Sequence, residues 1–270
     1  MRRFCLALCL CLFALPAWAQ DFTTGLNAYE KGDYKRAFAI WLPLAKGADT
    51  SAQYNVGLMY ANGLGVARND GEALKWFRIA AKAGVDGADG NIGFMYEAGL
   101  GVAQDNEQAI AWYNKAVEKG DAFAQNRLGR MYDEGRGVEQ DDEVAIDLYR
   151  RAAEQGLVEG QNNLGYMYEA GRGVERDEVE AVKWYRRAAD QDFAAAQFNL
   201  ALKYDAGGGV PQDDVRAYMW YTIAISQLPV EQIETAVSLR NVVASRMMPD
   251  AVAQAGSMAD EWLKKRGRGR

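Results

Sequence analysis

The sequence predicts an all-α fold, a solenoid of stacked antiparallel helix pairs, and three observations carry that expectation. First, five segments share one pattern at a step of 36 residues: Gly57, Gly93, Gly129, Gly165 and Ala201 are equivalent, as are Tyr60, Tyr96, Tyr132, Tyr168 and Tyr204. Two further series run through Gly65, Gly101, Gly137, Gly173 and Gly209, and through Ala73, Ala109, Ala145, Ala181 and Ala217. Second, apolar residues inside each unit recur three and four apart, the helical step, rather than alternating as in a strand. Third, each unit carries helix punctuation, a glycine turn followed by an Asn or Asp ahead of the second apolar stripe. Repetition at this period marks supersecondary units that bury their apolar faces only against their neighbours.

The chain opens with a separate object. Arg2-Arg3, the apolar run Phe4 to Leu15 and the small residues of Ala17-Trp18-Ala19 read as a secretory signal over residues 1–19, cleaved after Ala19. Its apolar run is short for a bilayer span. Leu8 precedes Cys9 and Leu10 precedes Cys11, where a lipoprotein signal needs a small residue, so lipidation is not expected. Residues 20–49 then predict a starter helix pair. Gly25, Ala28, Gly32-Asp33-Tyr34 and Ala37 keep helical order, but Gly25 lies 12 residues before Ala37 whereas Gly57 lies 16 before Ala73.

Thr50 to Gly84 is the template unit. Thr50 and Gln53 are expected to cap helix A, which runs to about Asn62 and buries Ala52, Val56, Met59 and Tyr60. Gly57 lets a neighbouring helix approach. Asn62-Gly63-Leu64-Gly65-Val66 makes a turn whose glycines take positive φ and whose valine plugs the gap between helices. Asn69, with Glu72 three residues on, caps helix B; Asp105 with Gln108 and Asp177 with Glu180 repeat the arrangement, and Asp141 and Asp213 keep the cap alone. Helix B turns Ala73, Trp76, Phe77 and Ala80 inward and ends near Gly84, a stop that recurs at Gly120 and Gly156. The pair Trp76-Phe77 returns as Trp112-Tyr113, Trp184-Tyr185 and Trp220-Tyr221, while the middle unit has Leu148-Tyr149.

The string L-G-x-M-Y-x-x-G-x-G-V, an acidic cap, A-x-x-W-Y, then A-A and Gly, resembles the Sel1-like repeat, a longer-loop relative of the tetratricopeptide repeat. Asn163-Leu164-Gly165-Tyr166-Met167-Tyr168-Glu169-Ala170-Gly171-Arg172-Gly173-Val174 is a near-ideal copy. The resemblance covers residues 50–228 as five repeats and implies a right-handed α-α superhelical solenoid. The tighter spacing of residues 20–49 is similar to a tetratricopeptide unit. From Pro229 the period is lost. Val230 to about Met247 and Pro249 to Lys265 each keep helical periodicity and resemble the terminal capping helices of bacterial Sel1-repeat proteins, giving a cap over 229–266 and a basic tail at 267–270.

Composition narrows the chemistry. The chain has no His, and its three cysteines, Cys5, Cys9 and Cys11, leave with the expected signal. Thiol nucleophiles, Ser-His-Asp relays, thiolate or imidazole metal sites and disulfides are then excluded, and neither cofactor nor metal nor catalytic residue is expected. Without Arg2 and Arg3 the chain carries 29 basic against 37 acidic residues, a net of −8. Five of the positive charges lie in Lys264 to Arg270, so the body ahead of them stands at −13. Such a body repels phosphate, and nucleic acid is not an expected partner. The basic end reads as a solvated terminus, or as a handle for anionic lipid or cell-wall polymer.

Selectivity in such a stack is expected on a concave groove lined by the A helices. By tetratricopeptide analogy the lining positions fall three before, one after and four after the helix-A glycine. They are Tyr54, Gly90, Asn126, Asn162 and Phe198; Leu58, Phe94, Arg130, Tyr166 and Leu202; and Ala61, Glu97, Asp133, Glu169 and Asp205. They vary between copies as the core positions do not. Their aromatic, amide and carboxylate groups suit an extended peptide with some basic character, or a glycan stacked on Tyr54, Phe94 and Tyr166. Asn55, Asn91, Asn163 and Asn199, interrupted by Arg127, are expected to tie helix A to the inter-repeat loop, or to hold a ligand backbone. Glu97, Asp133, Glu169 and Asp205, about 10 Å apart by helix-packing distances, are better read as a charged face than as a glycosidase pair. The resemblance implies an exported, non-enzymatic scaffold, periplasmic or secreted, that binds a protein or peptide of the cell envelope. The alternatives are a peptidoglycan or polysaccharide binder and a β-lactam-hydrolysing Sel1-type enzyme, the last disfavoured because its disulfide staples have no cysteines here.

Overall fold

A computed structural model describes residues 17–267, and among them there are fourteen α-helices and no strands. The helices are α1 (Ala17–Glu30), α2 (Tyr34–Lys46), α3 (Thr50–Asn62), α4 (Asp70–Lys82), α5 (Ala88–Ala98), α6 (Asn106–Glu118) and α7 (Ala122–Glu134). They continue as α8 (Asp142–Glu154), α9 (Val158–Ala170), α10 (Glu178–Asp190), α11 (Ala194–Ala206), α12 (Asp214–Ile225), α13 (Val230–Ser245) and α14 (Pro249–Lys265). Residues 1–16 of the expected signal and 268–270 of the expected tail lie outside the described residues; the expected cleavage point after Ala19 falls within α1.

The chain divides into two compact units, Met1–Asp105 with α1 to α5 and Asn106–Arg270 with α6 to α14. In the first, α1 pairs with α2 and α3 with α4, and the pairs meet through α2 against α3 and α4 against α5. In the second, α7–α8, α9–α10 and α11–α12 pair, joined through α6–α7, α8–α9 and α10–α11, and α13 and α14 both close on α12. The fold is thus the all-helical stack of helix pairs that the repeats predict.

Local chemistry accounts for each pair. Before α10, the Asp177 side chain accepts the Glu180 N–H at 2.9 Å. Glu178 and Glu180 occupy its first turn and Arg187 its last, the order that suits the helix dipole. α9 stops at Gly171, left-handed at φ 68°, whose N–H returns to the Met167 carbonyl. The start of α3 departs from expectation. Asp49, one residue ahead of Thr50, is the cap and accepts the Ala52 N–H at 2.7 Å. Gln53 is buried and donates instead to the Ala45 carbonyl at the end of α2, 3.2 Å away. A carboxylate reaching the free N–H leaves the amide to satisfy a carbonyl of the preceding helix. Gln161 to Ala153 and Gln197 to Ala189, both 3.3 Å, repeat that bond between later pairs.

Two glycine series bring the helices together. A methyl placed on Gly165 would sit 2.8 Å from the Tyr185 ring; Gly57 stands in the same relation to Phe77, and Gly129 to Tyr149. Each of these three helix-A glycines is therefore the seat of a helix-B ring, and Tyr149 and Tyr185 are almost fully buried there. The starter pair obeys the same rule. Gly25 abuts Trp41, which lies 36 residues before Phe77, so α2 keeps the repeat register and the three-residue link Lys31 to Asp33 alone shortens the spacing to α1. Gly173, at φ 65°, presses its backbone against the Asp142 carbonyl at the start of α8, where no side chain fits.

Each junction of the second unit after α8 also clamps one cation between two carboxylates. Arg172 meets Asp133 at the end of α7 and Asp142 at the start of α8, both at 2.5 Å. Lys203 meets Glu169 at the end of α9 and Glu178 at the start of α10. Arg246 meets Asp205 at 2.5 Å and Asp214 at 2.8 Å. The acids keep the 36-residue step, but the cations come from a turn, a helix interior and the end of the capping helix α13.

Gly165→Val drives two methyls into a seated ring, and overpacking of this kind costs about 1–3 kcal/mol. Thermal unfolding should therefore move to lower temperature, and an unchanged midpoint would show that the ring does not need the glycine. Arg172→Met keeps the side chain's apolar stem and removes the clamp, with an expected loss of about 1 kcal/mol at neutral pH for partly exposed pairs. The hydrogen bond from Arg172 holds the Asp142 carboxyl below its ordinary pKa. Its stabilising effect is complete above the unfolded carboxylate pKa of about 3.9 and fades as pH falls through the lower folded value. Urea midpoints of the two proteins should differ at pH 7 and converge toward pH 3; a gap that persists in acid would assign the loss to packing instead.

Candidate functional site

The expected lining residues fall into three physical groups. The first is tied into bridges between successive A helices. Asn91 donates to the Tyr54 hydroxyl at 3.0 Å and to the Gly87 carbonyl at 2.9 Å. Asn163 donates to the Asn126 side-chain oxygen at 2.9 Å, and Asn199 to that of Asn162 at 3.0 Å. The asparagine series therefore links each of these A helices to the A helix before it, and at Asn91 also to Gly87 of the inter-repeat loop. Asn55 instead returns to the Ser51 carbonyl of its own helix at 2.9 Å. Asn126 is 5% exposed, and Tyr54 and Asn162 are half-buried.

The carboxylates form the second group. Glu97 is 5% exposed and sits inside the stack rather than on an open wall. Asp133 accepts the Tyr149 hydroxyl at 3.1 Å, Glu169 that of Tyr185 at 2.6 Å, and Asp205 that of Tyr221 at 3.4 Å. Burial first, and the adjacent carboxylate second, push the Tyr149 and Tyr185 hydroxyls far above their ordinary pKa, so both stay protonated and donate. Each of these three acids thus has a phenol from its own repeat and a cation from Arg172, Lys203 or Arg246. They serve the stack as inter-repeat clamps.

The third group remains on the surface. Tyr166 is 47% exposed and the Arg130 side chain 39%, with Arg130 reaching Glu134 of its own helix at 3.1 Å. Leu58, Phe94 and Phe198 are partly exposed, and Phe198 packs edge-on against Tyr221. A cleft of about 270 Å³ in the second unit joins Asn126 and Arg130 to Phe123, Arg127, Glu159 and Phe193. The sequence reading missed Phe123 and Phe193. Phe123 belongs to the series Ser51, Gly87, Phe123, Glu159 and Ala195, where it is the one aromatic residue and is 40% exposed. That departure from an otherwise small or polar series was the available signal. Among the described residues no group of three or more His, Cys, Asp or Glu could hold a metal ion, and no helix is long and apolar enough to cross a membrane.

The basic end is partly engaged. Arg266 donates to the Asp190 carbonyl at 2.9 Å, pairs with Asp192 at 3.8 Å and lies over the Trp262 ring at 3.7 Å. Its charge belongs to the folded body rather than to a free tail.

Known proteins place this architecture. A Sel1 repeat protein from Oxalobacter formigenes is 30% identical, with a TM-score of 0.73 over 88% of this chain and 96% of its own. Two immunity proteins of Pseudomonas aeruginosa share the fold at lower identity. Pa5087 is 21% identical with a TM-score of 0.50 over 85% of this chain and 83% of its own, and PA5088 is 19% identical with 0.51 over 87% and 84%. No curated protein sequence matches the chain. The Sel1 repeat family profile matches residues 50–85, 90–121, 122–157, 158–193 and 194–227. Five consecutive matches, on a stack whose glycine seats recur at the same step, make this chain a member of the Sel1 repeat family.

Proposed function

We propose that the chain is an exported, non-catalytic scaffold that holds a partner polypeptide on the helix-A face of its second unit. Sel1 repeats generally act in protein–protein interaction, and the feature that carries the proposal here is the cleft between Phe123, Arg130 and Phe193, with the exposed Tyr166 three residues beyond Asn163 of its lining on α9. Aromatic and arginine side chains at a surface are the usual anchors of a protein interface. The carboxylates expected to favour a basic partner are held by phenols and cations, so selection rests on the aromatic and arginine groups. An apolar side chain on Phe123 or Tyr166, with acceptors facing the arginine, matches what the surface offers. Export is supported by the basic start, apolar run and small-residue site of residues 1–19, and implies a partner in the envelope. The glycan reading draws less support, because Arg266 is spent on Asp190 and Asp192.

Tagged protein incubated with envelope extract and analysed by mass spectrometry should retain a defined polypeptide. Tyr166→Ala and Phe123→Ala should each weaken that retention by about 1–2 kcal/mol, the size expected of an interface anchor. Retention unchanged in the double variant would move the interface elsewhere, and chemical alteration of the retained partner would refute a purely binding role.

A further inference from the structure

We propose that the helix-B side of the second unit carries a separate binding site, a cleft that receives a tryptophan side chain of a partner polypeptide. The chain supplies its own template for this site. Trp76 shares a buried cluster with Ala45, Val56 and Tyr60; Trp184 with Ala153, Leu164 and Tyr168; and Trp220 with Ala189, Leu200 and Tyr204. Each trio is another moved along the sequence by a multiple of 36 residues. In the middle repeat the corresponding trio is Val117, Leu128 and Tyr132, and the residue corresponding to the tryptophan is Leu148. An open cleft of about 430 Å³ lies there, lined by those same four residues together with Asn114 and Arg151. That volume falls within the roughly 300–1,000 Å³ of ordinary ligand sites.

Two further substitutions shape the cleft. In other repeats an arginine donates to the hydroxyl of the trio's tyrosine or its equivalent: Arg78 to Tyr96 at 2.7 Å, Arg150 to Tyr168 at 3.5 Å and Arg186 to Tyr204 at 2.6 Å. The corresponding residue beside Tyr132 is Asn114, whose shorter side chain leaves that end of the cleft open. A cation also covers the indole in neighbouring repeats, Lys115 over Trp112 at 3.7 Å and Arg187 over Trp184 at 4.4 Å. Its counterpart Arg151 lines the cleft with Leu148 and donates to the Val117 carbonyl at 3.3 Å, with Asp147 4.0 Å away. The middle repeat therefore keeps the floor and the cation of an indole site and omits the indole. Val117, larger than the alanines at its equivalents, takes up part of the space, and an open cleft remains.

The occupant follows from what the frame already holds three times. Val117, Leu128 and Leu148 are each less than a tenth exposed and offer an apolar floor, while Arg151 offers a charge to a ring face. An aliphatic side chain would use the floor and leave the cation without its ring. Tryptophan is also enriched among the residues that anchor protein interfaces. This face is built from α6 and α8 with α7 beneath, apart from the cleft of Phe123 and Arg130, so the inference does not depend on the reading of the helix-A face.

Saturation-transfer NMR on the full chain, with the tripeptide Gly-Trp-Gly as probe, tests the site. Its indole protons should receive saturation from the protein, and Gly-Leu-Gly should receive little. Leu148→Trp fills the cleft with the chain's own ring, should abolish the transfer, and should hold or raise the thermal unfolding midpoint. Arg151→Ala should weaken Gly-Trp-Gly binding by about threefold, the scale of an exposed cation–π contact. Transfer that survives Leu148→Trp, equal transfer to Gly-Leu-Gly, or a lowered midpoint for Leu148→Trp would each overturn the assignment. Saturation of free indole without that of Gly-Trp-Gly would overturn the polypeptide occupant.

Discussion

The close approach of a helix-A glycine to a helix-B ring is the constraint on which the repeat depends. Tyr185 is fully buried because Gly165 presents bare backbone to it, and Gly129 and Gly57 do the same for Tyr149 and Phe77. Once the ring is seated, its hydroxyl reaches the carboxylate four residues beyond the glycine, Glu169 for Tyr185 and Asp133 for Tyr149. That carboxylate then faces the next repeat and draws a cation from it. Packing within one pair thus sets the electrostatics between pairs. A buried phenol with a carboxylate acceptor avoids the penalty of an unsatisfied polar group, and the cation offsets the charge that remains.

The clamps show how a repeat protein tolerates variation. The acids at helix ends stay in register because they are fixed to the ring by the helical step. The cation answers only to distance, so a turn arginine, a helix lysine and a capping-helix arginine all serve. Long flexible side chains on neighbouring elements reach the same point from different backbone positions. The glutamine bonds between pairs are the opposite case. A short amide seeking one carbonyl must come from one position, and Gln53, Gln161 and Gln197 keep it.

Departures from the repeat separate structural from selective surface. The central alanines agree in all five copies and are fully buried, and four copies keep the seating glycine, with Ala201 in the fifth. Where one copy differs and its neighbours do not adjust, surface shape changes. Phe123 adds a ring to the helix-A side, and Leu148 with Asn114 opens the helix-B side. Phe123 and Leu148 fall in the third of the five repeats, and Asn114 in the second.

Fold class and the five repeats could be read directly from the chain, because glycine spacing, capping residues and helical stripes are local signals. The same spacing identified Tyr166 and Arg130 as surface positions, since each sits one residue past a seated glycine. What the acids do was decided by tertiary structure. Glu97, Asp133, Glu169 and Asp205 form an even ladder in the sequence, yet the partners of the last three lie 16 residues away in a ring and 34 to 41 away in a cation of no fixed register. Asn126 and Asn91 likewise acquired their roles from bonds 37 residues long. Periodicity reports which residues face the neighbouring helix. Which of them is satisfied there, and so withdrawn from any ligand, depends on the distance between side chains that only the packed stack defines.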